Sequence, residues 1–252
     1  MQVALIQEAA SLDPAVNRAR LAELVPGDAD LVVLPEAFAR DFGEAGSGLS
    51  GSAETLDGPF ATEVDRLARD RRTTVVAGLF ENNPDSPERP WNTLVVRGTV
   101  HEDYRKIHLY DSFGYRESDV LAPGALDPVT FPLGGFTVGL MTCYDLRFPE
   151  LARALVDRGA DVLVVPSAWV AGPRKVDHWT TLLRARAIEN TVYVVGAGQP
   201  GPRYTGHSMV VDPLGDVVAS TGDGPAVLRA ELDPSVVSRA RDTNPSLANR
   251  RL

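Results

Sequence analysis

Phe136-Thr137-Val138-Gly139-Leu140-Met141-Thr142-Cys143-Tyr144-Asp145-Leu146-Arg147-Phe148-Pro149-Glu150 is a strand-like run that gives way to a helix-like run near Leu146, with the chain's one cysteine at the junction. A strand-to-helix turn projects a side chain clear of the sheet edge, as nucleophile elbows do. A thiol there also feels the positive end of the helix that follows, which favours thiolate over thiol. Position alone leaves the ordinary alternative open, because a lone cysteine is commonly a small buried hydrophobe.

The same alternation extends outward from this turn. β-rich runs begin near Val3, Leu31, Thr74 and Thr93 before it, at Thr137 within it, and near Val162, Val192, Ser208 and Ala226 after it. Helical patterns cover Asp13 to Leu24, Phe60 to Arg72, Phe148 to Arg158, Val176 to Glu189 and Pro234 to Arg241. Asp13-Pro14 and Asp233-Pro234 each pair an N-cap with proline at the first helical position. Asn82 to Pro90, rich in proline, reads as a surface loop between two strands. Alternation predicts an α/β fold, and hairpin-like connections late in the chain predict a mixed sheet. No internal repeat or low-complexity tract stands out.

The 252 residues are 44% hydrophobic and 23% charged, enough to bury a sizeable core. No Ser/Gly/Pro-rich linker divides them, so one domain over 1–252 is expected. A net charge of −9 without a basic stripe argues against nucleic-acid and acidic-membrane partners. No run reaches the ~18 apolar residues of a spanning helix. One cysteine excludes an intrachain disulfide, and Met1 leads straight into a strand-like run; both fit a cytoplasmic setting.

Two further stretches carry chemistry. Leu31-Val32-Val33-Leu34-Pro35-Glu36 puts a carboxylate just past the carboxyl end of a strand, and Tyr104-Arg105-Lys106-Ile107-His108-Leu109-Tyr110 embeds a lysine among aromatic and aliphatic residues. Singly, each reads as a solvated charge. Together with Cys143 they supply a base, a cation for a developing oxyanion and a nucleophile, the parts acyl transfer needs. Ligands of open α/β sheets bind outside the carboxyl ends of the strands, so Glu36 and Cys143 would line one crevice if their strands lie in the same sheet.

With Leu34-Pro35-Glu36-Ala37-Phe38, Tyr104 to Leu109, and Cys143 to Glu150 in this order, the chain resembles the nitrilase superfamily of carbon-nitrogen hydrolases. The similarity continues through Arg116-Glu117-Ser118, His178-Trp179, Leu183 to Asn190 and Gly206 to Pro213. The resemblance implies a four-layer α-β-β-α sandwich that pairs into a homodimer or larger homo-oligomer, with the helix carrying His178 and Arg186 a candidate contact. It implies Cys143 as nucleophile, Glu36 as general base, Lys106 as oxyanion stabiliser and Glu117 as a second glutamate that positions the lysine or the substrate. The backbone N–H of Tyr144 becomes a second oxyanion donor. No cofactor or metal is implied.

A free thiol titrates near ~8.5 and a free glutamate near ~4.3, so proton transfer between them is uphill by roughly four units in water. Burial raises a carboxyl, and a lysine and a helix terminus lower a thiol, so the site is expected to be dry. Three rivals are weaker. Gly196-Ala197-Gly198-Gln199-Pro200-Gly201 fits a dinucleotide fingerprint, but the prolines that follow do not open a helix. His207 follows Cys143 in a plausible Cys/His order, yet it lies between a turn and a strand. The four histidines and Cys143 lack metal-ligand spacing. Arg147 is expected to hold Asp145 or a backbone carbonyl, with a substrate contact the lesser alternative.

Within the superfamily, His108 to Ser118 and Ala168 to Trp179 are most similar to Nit-type amidases, including bacterial ones acting on deaminated glutathione and the related ω-amidases of 2-oxo acids. The implied partner is a small-molecule amide, cleaved to ammonia and a carboxylate. Tyr144 and Trp169 are expected beside it, with Arg174 or Lys175 supplying a cation for an anionic acyl group. N-carbamoyl amino acids and nitriles remain open because the same triad serves them, and a catalytically silent oligomeric scaffold is the alternative of another class.

Overall fold

The computed structural model describes residues 1–251. In chain order its elements are β1 (Gln2–Gln7), α1 (Pro14–Leu24), β2 (Leu31–Val33), α2 (Pro59–Arg71), β3 (Thr74–Glu81), β4 (Trp91–Arg97), β5 (Glu102–Arg105), the short hairpin β6 (Asp111–Ser112) and β7 (Tyr115–Arg116), then β8 (Thr130–Leu133) and β9 (Phe136–Leu140). They continue with α3 (Pro149–Asp157), β10 (Val162–Ser167), α4 (Lys175–Asn190), β11 (Tyr193–Gly198), β12 (Met209–Val211), β13 (Val217–Ser220), β14 (Ala226–Glu231) and α5 (Pro234–Thr243). Every helix expected from the sequence is present, with ends moved by a residue or two. The Asp13 and Asp233 side chains cap α1 and α5 by accepting the Ala15 and Ser235 N–H groups, ahead of proline in each case.

Two six-stranded sheets form, in the orders β14-β1-β2-β3-β4-β5 and β8-β9-β10-β11-β12-β13. Each has a parallel core, β1-β2-β3 or β9-β10-β11, whose crossovers are the helices α1 and α2 or α3 and α4. Antiparallel strands flank both cores. The two sheets thus share one plan, although the sequence shows no repeat; the plan requires a common pattern of apolar runs, not common residues.

Strand periodicity builds the layers. Val3 and Leu5 of β1 face the second sheet, in one core with Val138, Leu140, Val162 and Val164. Ala4 and Ile6 face the other way and pack with Leu21 of α1 and Phe60, Val64 and Leu67 of α2. On the far side of the second sheet, Leu151 and Leu155 of α3 and Trp179 and Leu183 of α4 join its outer face. The result is the expected α-β-β-α sandwich. Gly196 permits the close seating of α4 on β11, since a Cβ there would meet Leu183 and Trp179 side-chain atoms at 2.8 Å. Arg186 of α4 is buried and donates to the Leu146 carbonyl at 3.0 Å, so this residue serves packing within the chain. No helix among the described residues is long and apolar enough to cross a membrane.

Candidate active site

The carboxyl ends of both parallel cores open toward one cavity of about 540 Å³, which Glu36, Lys106, Glu117 and Cys143 all line. Glu36 follows β2 on a segment pressed against β3. A Cβ on Gly78 would come within 2.4 Å of the Ala37 nitrogen, so glycine is what lets the segment approach. Lys106 follows β5, its N–H donating to the Asn92 carbonyl at 2.8 Å. Cys143 follows β9, with a left-handed φ of 47° that a non-glycine residue adopts only when its surroundings impose it.

At the floor the ionic groups are buried and paired. The Lys106 ammonium donates to Glu36 Oε1 at 3.0 Å and to both Glu117 oxygens at 3.0 and 2.8 Å. Glu36 Oε1 also accepts from Asn92 Nδ2 at 2.8 Å, and its Oε2 accepts the Ala168 N–H at 2.7 Å, so the second sheet holds a base carried by the first. Glu117 Oε2 accepts the Tyr110 N–H at 2.6 Å. Burial works against the Lys106 charge, yet Glu117 and Glu36 more than offset it and hold the group well above the ordinary lysine value. Burial pushes Glu117 up, against the pull of Lys106.

Burial, and then the Glu36 carboxylate, push the Cys143 thiol well up, and Lys106 does not outweigh them. That direction opposes the thiolate that the sequence reading expects from a helix dipole. Cys143 opens the 3₁₀ turn Cys143–Arg147, and the α-helix itself starts only at Pro149, too far along to act on the sulfur.

A second buried cluster ties the cysteine turn to the lysine segment. Asp145, two residues past Cys143, accepts the Tyr104 hydroxyl at 2.6 Å, the His108 N–H at 3.0 Å and the Thr142 N–H at 2.9 Å, and its Oδ1 lies 2.7 Å from His108 Nδ1. Tyr104 and His108 flank Lys106, so both sides of the lysine are fastened to the turn. The His108 ring stacks on Phe148 at 3.7 Å.

Asp145 is thus satisfied without Arg147, contrary to the sequence expectation. Arg147 instead lines the cavity, its guanidinium 4.8 Å from the Trp169 ring centroid. Lys175 lines the cavity as well, whereas Arg174 does not: its exposed side chain pairs with Asp177. Tyr144 and Trp169 both reach the cavity, and Trp169 is fixed by its indole N–H donating to the Lys175 carbonyl at 3.0 Å. His207 takes no part in the cavity; its carbonyl accepts the Trp179 indole N–H at 2.8 Å. The Gly196–Gly201 stretch ends β11 and enters a turn, with no helix until α5.

The model of the carbon-nitrogen hydrolase family matches residues 2–242. The chain belongs to the carbon-nitrogen hydrolase family. It is similar to a deaminated glutathione amidase of Escherichia coli O157:H7, 42% identical over 234 residues that make up 92% of this chain and 88% of that protein. Among solved structures, Nit3 of Saccharomyces cerevisiae, a member of branch 10 of the nitrilase superfamily, superposes with a TM-score of 0.87 at 30% identity, covering 100% of this chain and 97% of that one. An amidase of Nesterenkonia sp. AN1, seen as a Glu-to-Gln mutant after Michael addition of acrylamide at its active-site cysteine, superposes with a TM-score of 0.77 at 30% identity, covering 99% of this chain and 98% of that one.

Several groups of this carbon-nitrogen hydrolase site escaped the sequence reading. Asn92 had a signal, being a polar residue inside the apolar run Trp91-Asn92-Thr93-Leu94-Val95-Val96. Such a residue is buried with a partner or it does not belong in the strand. The Ala168 and Tyr110 N–H groups had none, because any residue carries a backbone donor.

Proposed function

We propose that this carbon-nitrogen hydrolase is a cysteine amidase working through a thioester. The reading rests on one observation: a carboxylate, an ammonium and the chain's one thiol, contributed by different strand ends, line the same cavity floor with the ionic pair fully buried. Glu36 takes the Cys143 proton as Sγ attacks the carboxamide carbon. The oxyanion that forms is met by the Lys106 ammonium and the Tyr144 N–H. As the C–N bond breaks, Glu36 returns the proton to nitrogen and ammonia leaves, with the acyl group on sulfur. Glu36 then takes a proton from water; the resulting hydroxide displaces sulfur, which regains a proton, and the carboxylic acid departs. A thiol that burial pushes up suits this sequence, since the proton then moves when substrate arrives. Glu117 holds Lys106 in place, keeping it charged without contacting the acyl group.

The most fitting substrates are deaminated glutathione and the ω-amides of 2-oxo acids, a reading supported by the E. coli relative's activity and by the size of the cavity. The family match over residues 2–242 supports one catalytic domain. The test is ammonia release from deaminated glutathione, 2-oxoglutaramate, acetamide, an aliphatic nitrile and an N-carbamoyl amino acid, with wild type and Glu36→Gln. The expected result is cleavage of the first two, suppressed by at least about 10² in the variant. Turnover undiminished in Glu36→Gln overturns the assignment of the base.

A further inference from the structure

We propose that the Ser167 hydroxyl is a further catalytic group, a donor held in place for the negative charge that Cys143 Sγ carries when its proton has gone to Glu36 and again when the acyl group leaves it. This rests on the amidase reading above and adds to it a group that serves the sulfur, as Lys106 and the Tyr144 N–H serve the oxygen.

Ser167 closes β10 and is the polar end of the run Val162-Leu163-Val164-Val165-Pro166. β9 and β10 run parallel, with Leu140 opposite Val164. Cys143 and Ser167 each lie three residues beyond that pair, so the two residues leave the carboxyl ends of adjacent strands at the same level. The backbone around the serine is fixed on both sides. Its carbonyl accepts the Gln199 N–H at 2.9 Å, and the next N–H, that of Ala168, donates to Glu36 Oε2 at 2.7 Å. The segment that orients the base therefore also carries the hydroxyl.

That hydroxyl is fully buried, yet it forms no hydrogen bond among the described residues. Ser208, equally buried just before β12, differs: it accepts the Gly198 N–H at 2.9 Å and donates to Gln7 Oε1 at 2.7 Å. A buried hydroxyl without a partner costs stability and calls for a reason. The sulfur supplies one. Burial and then Glu36 push the Cys143 thiol up, whereas Lys106 and, as a hydrogen-bond partner, Ser167 pull the other way. A neutral thiol accepts only weakly, but a thiolate carries a full charge, and the same contact becomes a charge-assisted hydrogen bond. The gain thus arises when sulfur is charged, the condition under which an interaction speeds the chemical step. Sulfur is charged twice. As Glu36 takes the proton, the electron pair of the S–H bond stays on sulfur and enters the new S–C bond; when hydroxide displaces the acyl group, that pair returns to sulfur. Ser167 keeps its own proton throughout.

The experiment follows alkylation of the chain's one thiol by iodoacetamide, as a function of pH, in wild type and Ser167→Ala. The charged and titratable groups that share the cavity with the sulfur, Glu36, Lys106, Tyr110, Glu117, Arg147 and Lys175, are present in both. Loss of the donor lowers the thiolate fraction about tenfold and makes each thiolate about threefold more nucleophilic. Ser167→Ala is therefore expected to react about threefold more slowly than wild type below the midpoint of the profile and about threefold faster at the alkaline plateau, with the midpoint moved to higher pH. A serine that only supports the fold would move both ends the same way. With an amide that wild type cleaves, kcat/KM should fall about three- to tenfold. Thiolate absorbance in the ultraviolet, read against the matching protein with Cys143→Ala, should appear at higher pH in the variant. Superimposable alkylation profiles, a change of one sign at every pH, an unaltered kcat/KM for that amide, or thiolate absorbance that appears at the same pH overturns the proposal. Profiles that cross as expected in an enzyme that releases ammonia from no amide would instead count against the amidase reading and leave the sulfur donor standing.

Discussion

The floor and the wall of the cavity both carry cations, but they treat them in opposite ways. At the floor, Lys106 is fully buried between two carboxylates that are themselves held by Asn92 and by backbone N–H groups from both sheets. In the wall, Arg147 and Lys175 stand among rings, a hydroxyl and a histidine, with no carboxylate paired to either among the described residues. A closed set of charges has a fixed geometry and a fixed protonation state, which is what proton transfer and oxyanion binding require. The proposed reaction draws on the closed set at the floor.

The contrast breaks most visibly where the closed set is opened. Lys106→Met should lower kcat/KM by about 10²–10³, the usual effect of losing an oxyanion donor. It should also destabilise the fold by about 3–5 kcal/mol near neutral pH, because two buried carboxylates lose their common cation. The sign of the pH effect follows from Glu117, which burial already pushes above its ordinary value. Without Lys106 that folded-state value rises further, so the variant's stability is present in acid and is lost as pH rises through it. Thermal melts of the variant should therefore approach wild type as pH is lowered from about 7 to about 5. A melting deficit that does not change with pH would show that the floor is not the closed electrostatic unit described.

A smaller effect is expected one layer out. Tyr104→Phe removes one of the donors to buried Asp145 while leaving His108 and Thr142 in place. The expected cost is about 1–3 kcal/mol of stability, with a reduction in kcat and little change in KM, because the cysteine turn loosens relative to Lys106 and the wall is not touched. A change confined to KM would place Tyr104 with the wall instead of the floor.

Much of this arrangement was legible in the residues. The alternation around Cys143 predicts an α/β fold with a mixed sheet, of which the structure has two, and the Asp-Pro pairs mark where α1 and α5 begin. The strands that escaped are polar or at sheet edges. β5 reads Glu102-Asp103-Tyr104-Arg105, and β13 is largely exposed, so pairing with a neighbour and not hydrophobicity creates them. At the site, the motifs that carry the resemblance mark out Glu36, Lys106, Glu117 and Cys143, and the structure brings the four together. Of Arg174 and Lys175, the two cations the sequence puts beside the pocket, Lys175 reaches it and Arg174 does not. Lys175 and Arg174 are adjacent at the start of α4, so they point in different directions, a fact of helix phase that the sequence did not reveal before the helix start was fixed. The sequence reading gives Arg147 to Asp145 or a nearby backbone carbonyl, with a substrate contact the lesser alternative, and the structure puts it in the cavity lining. The competing donors, Tyr104 and His108, come from a segment far away in the chain.

The most direct test of the central claim is mass spectrometry of the acid-quenched enzyme during turnover of 2-oxoglutaramate, followed by mapping of the peptide that contains Cys143. The account predicts an adduct on Cys143 equal in mass to the amide less ammonia, and no ammonia release by Cys143→Ala. Ammonia released by Cys143→Ala at the wild-type rate, with no adduct on Cys143 in wild type, would contradict it.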